Sequence, residues 1–148
     1  MTAAPSPVQS RTGGQTPAPR AAVCLAPILV RTEPGAVASF SRETAGKESN
    51  GFVPLTFPFC WLTLPEIRSE ILQMIGGEKF IPVHEAQSFV YDRELQIDTD
   101  YVLAIELSHA EKPPRVILRM AISSPSNEVC AHLETVLRIM PLTAKPAA

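Results

Sequence analysis

The stretch that decides the fold begins at residue 82 as Pro-Val-His-Glu-Ala-Gln-Ser-Phe-Val-Tyr and runs on to residue 107. Its last part has an apolar side chain at every second position, at Tyr101, Leu103, Ile105 and Leu107. Successive side chains of a strand point to opposite faces, so this spacing predicts a strand with one buried face. A companion stretch at residues 51–59, Gly-Phe-Val-Pro-Leu-Thr-Phe-Pro-Phe, lies before it in the chain.

The same alternation recurs further along the chain. Residues 115–122 align Val116, Leu118, Met120 and Ile122, and residues 129–139 align Val129, Ala131, Leu133, Leu137 and Ile139. Residues 87–93 form a shorter strand that places Phe89 and Tyr91 on one face. Turn residues at 109–114 and 123–127 separate the strands. Alternation of this kind is typical of an antiparallel sheet with one buried face.

A helix is predicted between the two stretches. Its apolar stripe consists of Ile67, Ile71, Met74 and Ile75, and Gly76-Gly77 would end it. Thr63-Leu64-Pro65-Glu66 has the spacing of a capping box at its start. In the alternative, an earlier turn begins at Pro58, and Pro65 then marks a break between two short helices. Helices followed by long antiparallel strands predict the α+β class.

Composition predicts one folded domain. The chain has 148 residues, of which 45% are hydrophobic and 19% are charged, enough apolar side chains for one core. Residues 1–20 are rich in Pro, Ala, Ser, Thr, Gln and Gly. Such a segment buries too little apolar surface to offset its ordering entropy. We therefore predict a disordered tail at 1–22, a domain at 23–141 and a flexible tail at 142–148.

Several classes of function are disfavoured. The net charge is −2 and no Lys/Arg run is present, which argues against a nucleic-acid partner. No apolar run reaches the roughly 18–20 residues of a membrane span. The three cysteines are widely spaced and form no metal motif, and the sequence has no Gly-rich phosphate loop. The expectation is a cytoplasmic protein with buried, reduced thiols and neither metal nor cofactor.

The order of these parts resembles the MaoC-type hot-dog dehydratases. It is most similar to the non-catalytic N-terminal half of fatty-acid-synthase-like dehydratases and to the non-catalytic subunits of heterodimeric hydroxyacyl dehydratases. The resemblance is carried by residues 54–57, Pro-Leu-Thr-Phe, with Trp61, and by residues 83–89, Val-His-Glu-Ala-Gln-Ser-Phe. It spans about residues 26–140 and departs from the family at 93–100, where a Pro-x-x-x-Gly-Asp turn is usual. It implies a hot-dog fold, an antiparallel sheet wrapped around a central helix.

The resemblance fails at the catalytic residues. Catalytic members carry approximately Gly-Asp-x-Asn-Pro-x-His in the loop after the first helix, and this Asp and His share one water, so both are needed. Here residues 46–51 read Gly-Lys-Glu-Ser-Asn-Gly, which puts Lys47 at the Asp position and leaves no His. We therefore assign no catalytic residue. Glu48 acting alone as a base is the weaker alternative.

Four residues are candidates for substrate binding: Phe57, Phe59, Trp61 and His84. The aromatic residues are suited to line an acyl tunnel, and core packing explains them equally well. His84 would open a strand beside the acyl channel, although a purely structural histidine is the more common case. Arg115 and Arg119 share a strand face and suit a phosphate, but a solvated sheet face explains them more simply.

The leading functional hypothesis is a non-catalytic half of an (R)-3-hydroxyacyl-thioester dehydratase or enoyl-thioester hydratase. Its partners would be a catalytic MaoC-type subunit and an acyl thioester of coenzyme A or acyl carrier protein. The alternatives are a homodimeric thioesterase that uses an acidic residue such as Glu48 or Glu85, and an apolar-ligand binding module without catalysis. The strand at 87–93 is the predicted sheet edge for dimerisation, and a proline at Val90 is expected to weaken that pairing.

Overall fold

A computed structural model describes residues 20–44 and 51–142 of the chain. The elements in chain order are β1 (Arg20–Cys24), β2 (Ile28–Arg31), α1 (Pro34–Glu43), a 3-10 helix (Phe57–Thr63), α2 (Pro65–Ile75), β3 (Phe80–Tyr91), β4 (Asp100–Glu111), β5 (Pro114–Ser123) and β6 (Val129–Pro141). The first strand starts within the segment predicted as a tail. The rest of that tail, most of the C-terminal one and the Lys47 loop lie outside the described residues.

All six strands belong to one antiparallel sheet. Strands β4, β5 and β6 are joined in sequence by short turns and pair over most of their lengths. The short strands β1 and β2 both pair with β4 and form one margin of the sheet. Strand β3 pairs with β6 and forms the opposite margin. The strand that follows the central helix is therefore an edge strand, as the sequence predicted.

The predicted alternation is confirmed in the three central strands, except at Val129, which is exposed. The rows that begin at Tyr101, Val116 and Ala131 face inward and supply most of the buried side chains of the sheet. Strand β3 is longer than predicted and starts at Phe80. The sequence did not reveal this start, because most of the first seven residues are exposed and carry no alternating signal. At its middle the register shifts between His84 and Ala86, which makes Glu85 the extra residue of a bulge.

The helical region is split in two at Pro65. The 3-10 helix ends at Thr63, and α2 begins at Pro65 with Leu64 as its N-cap. The predicted capping box is wrong, because the Thr63 hydroxyl donates back to the Cys60 carbonyl (2.9 Å) and does not reach α2. Proline is well placed at the start of α2, since its missing N–H would have no helical partner there. Gly76 ends the helix with φ +89°, a conformation that favours glycine.

Helix α2 packs its apolar stripe against the inner face of the sheet. Ile67, Ile71 and Ile75 are buried in one cluster with the inward rows of β4, β5 and β6. Met74, predicted on the same stripe, is only half-buried. One central helix against an antiparallel sheet confirms the α+β class.

The predicted burial of all three thiols is wrong for two of them. Cys24 lies on the marginal strand β1 and Cys60 lies in the short 3-10 helix, and both are exposed, whereas Cys130 is buried. All three are free thiols. Within the described part of the chain, no helix is both long and apolar enough to cross a membrane.

Candidate functional site

A cleft of about 560 Å³ lies between the two consecutive helices and the strands β3, β5 and β6. Its apolar wall includes Leu62, Ile71, Leu72, Phe80, Leu118 and Leu137. The volume lies within the range of small-molecule sites, which combine mostly apolar walls with a few placed polar groups. Two charged lining residues, Arg68 and Glu78, are exposed to solvent. The cleft is therefore suited to an apolar chain whose polar end stays near water.

The four predicted binding residues divide into two pairs. Phe59 and His84 both line the cleft, and their rings meet edge to face with centroids 5.3 Å apart. Phe57 and Trp61 are buried in the hydrophobic core and do not line the cleft. Their rings meet edge to face with centroids 5.7 Å apart, and Phe57 also contacts Phe40 of α1. Core packing accounts for this second pair.

A polar group lies in the otherwise apolar wall of the cleft. The hydroxyl of Thr135, on the inward face of β6, is fully buried and donates to Oε1 of Gln87 (2.7 Å). Nε2 of His84 lies 3.1 Å from the same oxygen. The amide nitrogen of Gln87 donates to the carbonyl of Glu134 (3.1 Å). The network satisfies a hydroxyl that would otherwise be buried without a partner.

Gln87 and Thr135 did not emerge as candidates from the sequence. A signal for them was present, because each is a polar residue in an inward-facing row of a strand. Thr135 interrupts the row formed by Leu133 and Leu137, and Gln87 precedes Phe89 and Tyr91 on its face. The two lie in adjacent strands at facing positions, Gln87 opposite Thr135. Strand pairing therefore joins two polar residues that are 48 positions apart.

The charged candidates lie away from the cleft. Arg119 donates to Glu134 (3.0 Å) and lies 3.8 Å from Glu106, so ion pairing on the sheet face explains it. Arg115 stands directly opposite Arg138 in the register of β5 and β6. Arg138 in turn donates to Glu85 (2.8 Å). None of these side chains lines the cleft.

A tyrosine holds the segment that leads into the 3-10 helix. The Tyr91 hydroxyl donates to the carbonyl of Leu55 (2.5 Å). Burial, with a smaller effect from the charge of Glu94, raises the pKa of Tyr91 to about 12. The hydroxyl ties Leu55, four residues before Phe59, to strand β3.

In residues 20–44 and 51–142, no group of three or more His, Cys, Asp or Glu side chains is placed to hold a metal ion. The lining of the cleft supplies apolar contacts, the exposed charges of Arg68 and Glu78, and the hydrogen-bonding network of His84, Gln87 and Thr135.

Comparison with known proteins identifies the fold. No protein-family model matches the sequence, and no curated protein matches it. The fold is similar to that of the HadBC (3R)-hydroxyacyl-ACP dehydratase complex of Mycobacterium tuberculosis, with a TM-score of 0.65 and 13% identity over 78% of this chain and 94% of that chain.

Two further structures show the same arrangement. A hot-dog-like protein of Thermanaerovibrio acidaminovorans gives a TM-score of 0.61 and 15% identity over 83% of this chain and 84% of its own. A probable thioesterase of Bartonella henselae gives a TM-score of 0.54 and 17% identity over 82% of this chain and 95% of its own. The chain therefore has the hot-dog fold, as the resemblance implied. At these identities the similarity shows the fold alone.

Proposed function

We propose that this chain is the non-catalytic half of an (R)-3-hydroxyacyl-thioester dehydratase or enoyl-thioester hydratase. It would shape the tunnel for the acyl chain and stabilise a MaoC-type partner that carries the catalytic Asp and His. The acyl group would reach the cleft as a thioester of coenzyme A or of acyl carrier protein. The observation that carries the proposal is the apolar cleft at the open edge of the sheet.

The position of the cleft favours a role shared with a partner. Phe80, Ile81 and His84 belong to β3, the strand at the edge of the sheet, and also line the cleft. A second sheet that pairs with β3 would therefore stand beside the cleft and help to enclose an acyl chain. Similarity to the HadBC complex, which is a dehydratase of two different chains by its name, supports this arrangement.

The residues that are present support the proposed non-catalytic role. Residues 46–51 lack the paired Asp and His of the catalytic family members. At the cleft, the described lining residues include one histidine, His84, and one carboxylate, the exposed Glu78. Glu85, an alternative base in the sequence, does not line the cleft, and its carboxylate accepts a hydrogen bond from Arg138.

A homodimeric thioesterase is the second candidate. It is favoured by the similarity to a probable thioesterase, a class that one carboxylate can serve. Glu48 would be that carboxylate, and it lies outside the described residues. Release of free thiol from decanoyl-CoA by the purified chain, lost in Glu48→Gln, would favour this candidate over the proposed function. A third candidate, an apolar-ligand module without catalysis, would bind the ligand and associate with no lyase.

Binding of decanoyl-CoA to the cleft is the direct test of acyl recognition. Replacing Leu72 with Trp is expected to weaken binding at least tenfold, because the larger ring fills space that the acyl chain would occupy. The matched control is Leu29→Trp, since Leu29 is 70% exposed and lies outside this cleft. Titration calorimetry on the full chain measures both variants. No saturable binding to the unmodified chain would refute acyl recognition.

Edge pairing through β3 is the predicted mode of dimerisation. The Asp92 N–H donates to the carbonyl of Cys130 in β6 (2.8 Å). Donor directions alternate along an antiparallel strand, so the Val90 N–H also points to β6, whereas the Phe89 N–H points to the open edge. A proline at Val90 would therefore disturb the internal ladder, which corrects the sequence-based choice of that position.

Phe89→Pro is expected to weaken the homodimer about five- to hundredfold relative to Phe89→Ala. Both variants lose the aromatic ring, and only the proline removes the edge donor, once in each subunit. Two lost hydrogen bonds at about 0.5–1.5 kcal/mol each give this range. Sedimentation over a wide concentration range measures the dissociation constants. Equal constants for the two variants would show that β3 does not form the interface.

A further inference from the structure

The orientation of the Gln87 side-chain amide is fixed by its neighbours. Its nitrogen faces the carbonyl oxygen of Glu134 (3.1 Å), which only accepts hydrogen bonds. A flipped amide would place two acceptors against each other and lose that bond. Oε1 must therefore be the atom that faces the Thr135 hydroxyl (2.7 Å) and His84 (3.1 Å).

This orientation determines the state of the neutral His84 ring. Because Oε1 of Gln87 is an acceptor, Nε2 of His84 must carry a hydrogen to bond it. A neutral imidazole has one N–H, so Nδ1 is left as an acceptor. In the part of the chain that the structure describes, Nδ1 has no hydrogen-bond partner. The ring that carries this acceptor is exposed to solvent and lines the cleft beside the Phe59 ring.

We propose that His84 is a specificity-determining residue whose Nδ1 accepts a hydrogen bond from a hydroxyl group on the bound acyl chain. Gln87 and Thr135 form a positioning pair, because Oε1 of Gln87 bonds the ring in the Nε2–H form and the Thr135 hydroxyl, in the cleft wall, bonds the same oxygen. This inference rests on acyl binding in the cleft, which belongs to the proposed function. It adds that a chain with a hydroxyl donor binds more tightly than a saturated or an oxo chain.

The tautomer is tested without any ligand. The full chain, labelled with 15N in its histidines, is studied by NMR at about pH 8.5, where histidine is ordinarily neutral. The chain has three histidines, and His84→Phe identifies the signals of interest by their loss. We expect His84 to carry its hydrogen on Nε2. A hydrogen on Nδ1, or an equal mixture of the two forms, would overturn the inference whatever the chain binds.

Removal of the positioning pair is the companion experiment. The double variant Gln87→Leu with Thr135→Val deletes both partners of one hydrogen bond, so no buried hydroxyl is left unsatisfied. We expect the His84 signals to shift toward a mixture of the two forms while the fold persists. An unchanged tautomer in this variant would show that Gln87 does not position the ring.

The preference for a hydroxylated ligand is tested by comparing the affinities of four coenzyme A thioesters. Calorimetry compares decanoyl-, 3-oxodecanoyl-, 3-hydroxydecanoyl- and 10-hydroxydecanoyl-CoA on the full chain. We expect one hydroxylated ligand to bind about three- to tenfold more tightly than decanoyl-CoA, the effect of one net hydrogen bond. His84→Phe, which keeps a ring beside Phe59, should make the affinities for the hydroxylated ligand and for decanoyl-CoA equal, whatever the change in decanoyl-CoA binding itself.

The outcomes separate this inference from the proposed function. If all four thioesters bind equally, or if the preference survives in His84→Phe, the specificity role of His84 is wrong and acyl recognition stands. If no thioester binds, acyl recognition itself fails, and the specificity role fails with it. A preference that disappears in His84→Phe supports both.

Discussion

Purified by itself, the chain is expected to hydrate trans-2-decenoyl-CoA no faster than buffer does. Hydration requires one group to orient the water and another to transfer its proton, and residues 46–51 supply no Asp/His pair for that purpose. The reverse reaction, dehydration of (R)-3-hydroxydecanoyl-CoA, should be equally absent. The absorbance of the enoyl thioester falls during hydration and rises during dehydration, so it measures both reactions. A turnover number in the usual enzyme range of roughly 1–1000 per second would refute the non-catalytic role.

Activity is expected to appear when the catalytic partner is added. The partner is to be identified by co-purification from the native host followed by mass spectrometry. A partner whose Asp and His are both replaced should bind this chain and restore no turnover, which is the matched control. Activity that persists with this inactive partner would place the chemistry on the present chain. Glu48→Gln would then test the acidic residue that the sequence offers.

Much of the fold could be predicted because its central strands have one buried face. The rows from Tyr101, Val116 and Ala131 are apolar at every second position, and the structure buries them against α2. The break at Pro65 could be predicted as an alternative, since proline fits the start of a helix and not its interior. These features depend on local periodicity and backbone chemistry, which a single sequence displays.

Other features depend on tertiary contacts. The start of β3 at Phe80 had no periodic signal, because an edge strand with mostly exposed side chains needs no alternation. The capping function of Thr63 depended on where the 3-10 helix ended, and its hydroxyl bonds within that helix. The exposure of Cys24 depended on β1 lying at the margin of the sheet.

The candidate site was predicted in part for the same reasons. Phe59 and His84 were identified as aromatic and polar residues of suitable type, and the structure brings both to the cleft. Phe57 and Trp61 are also aromatic, but they face the core. The sequence left open whether these aromatic residues line a tunnel or pack in the core. The contact between Gln87 and Thr135 required the register of β3 against β6, which no local pattern specifies.

Replacing Ile67 with Ala is expected to lower the free energy of unfolding by about 2–5 kcal/mol. Ile67 is fully buried on the stripe by which α2 contacts the sheet, so the change removes buried methyl groups and leaves a cavity. Ser69→Ala, on the exposed side of the same helix, is the matched control and should change stability by no more than about 0.5 kcal/mol. Urea denaturation followed by the fluorescence of the single tryptophan, the buried Trp61, measures both variants. Equal stabilities would contradict the packing of α2 on the sheet, and with it the position of the cleft wall that Ile71 forms one turn further along the helix.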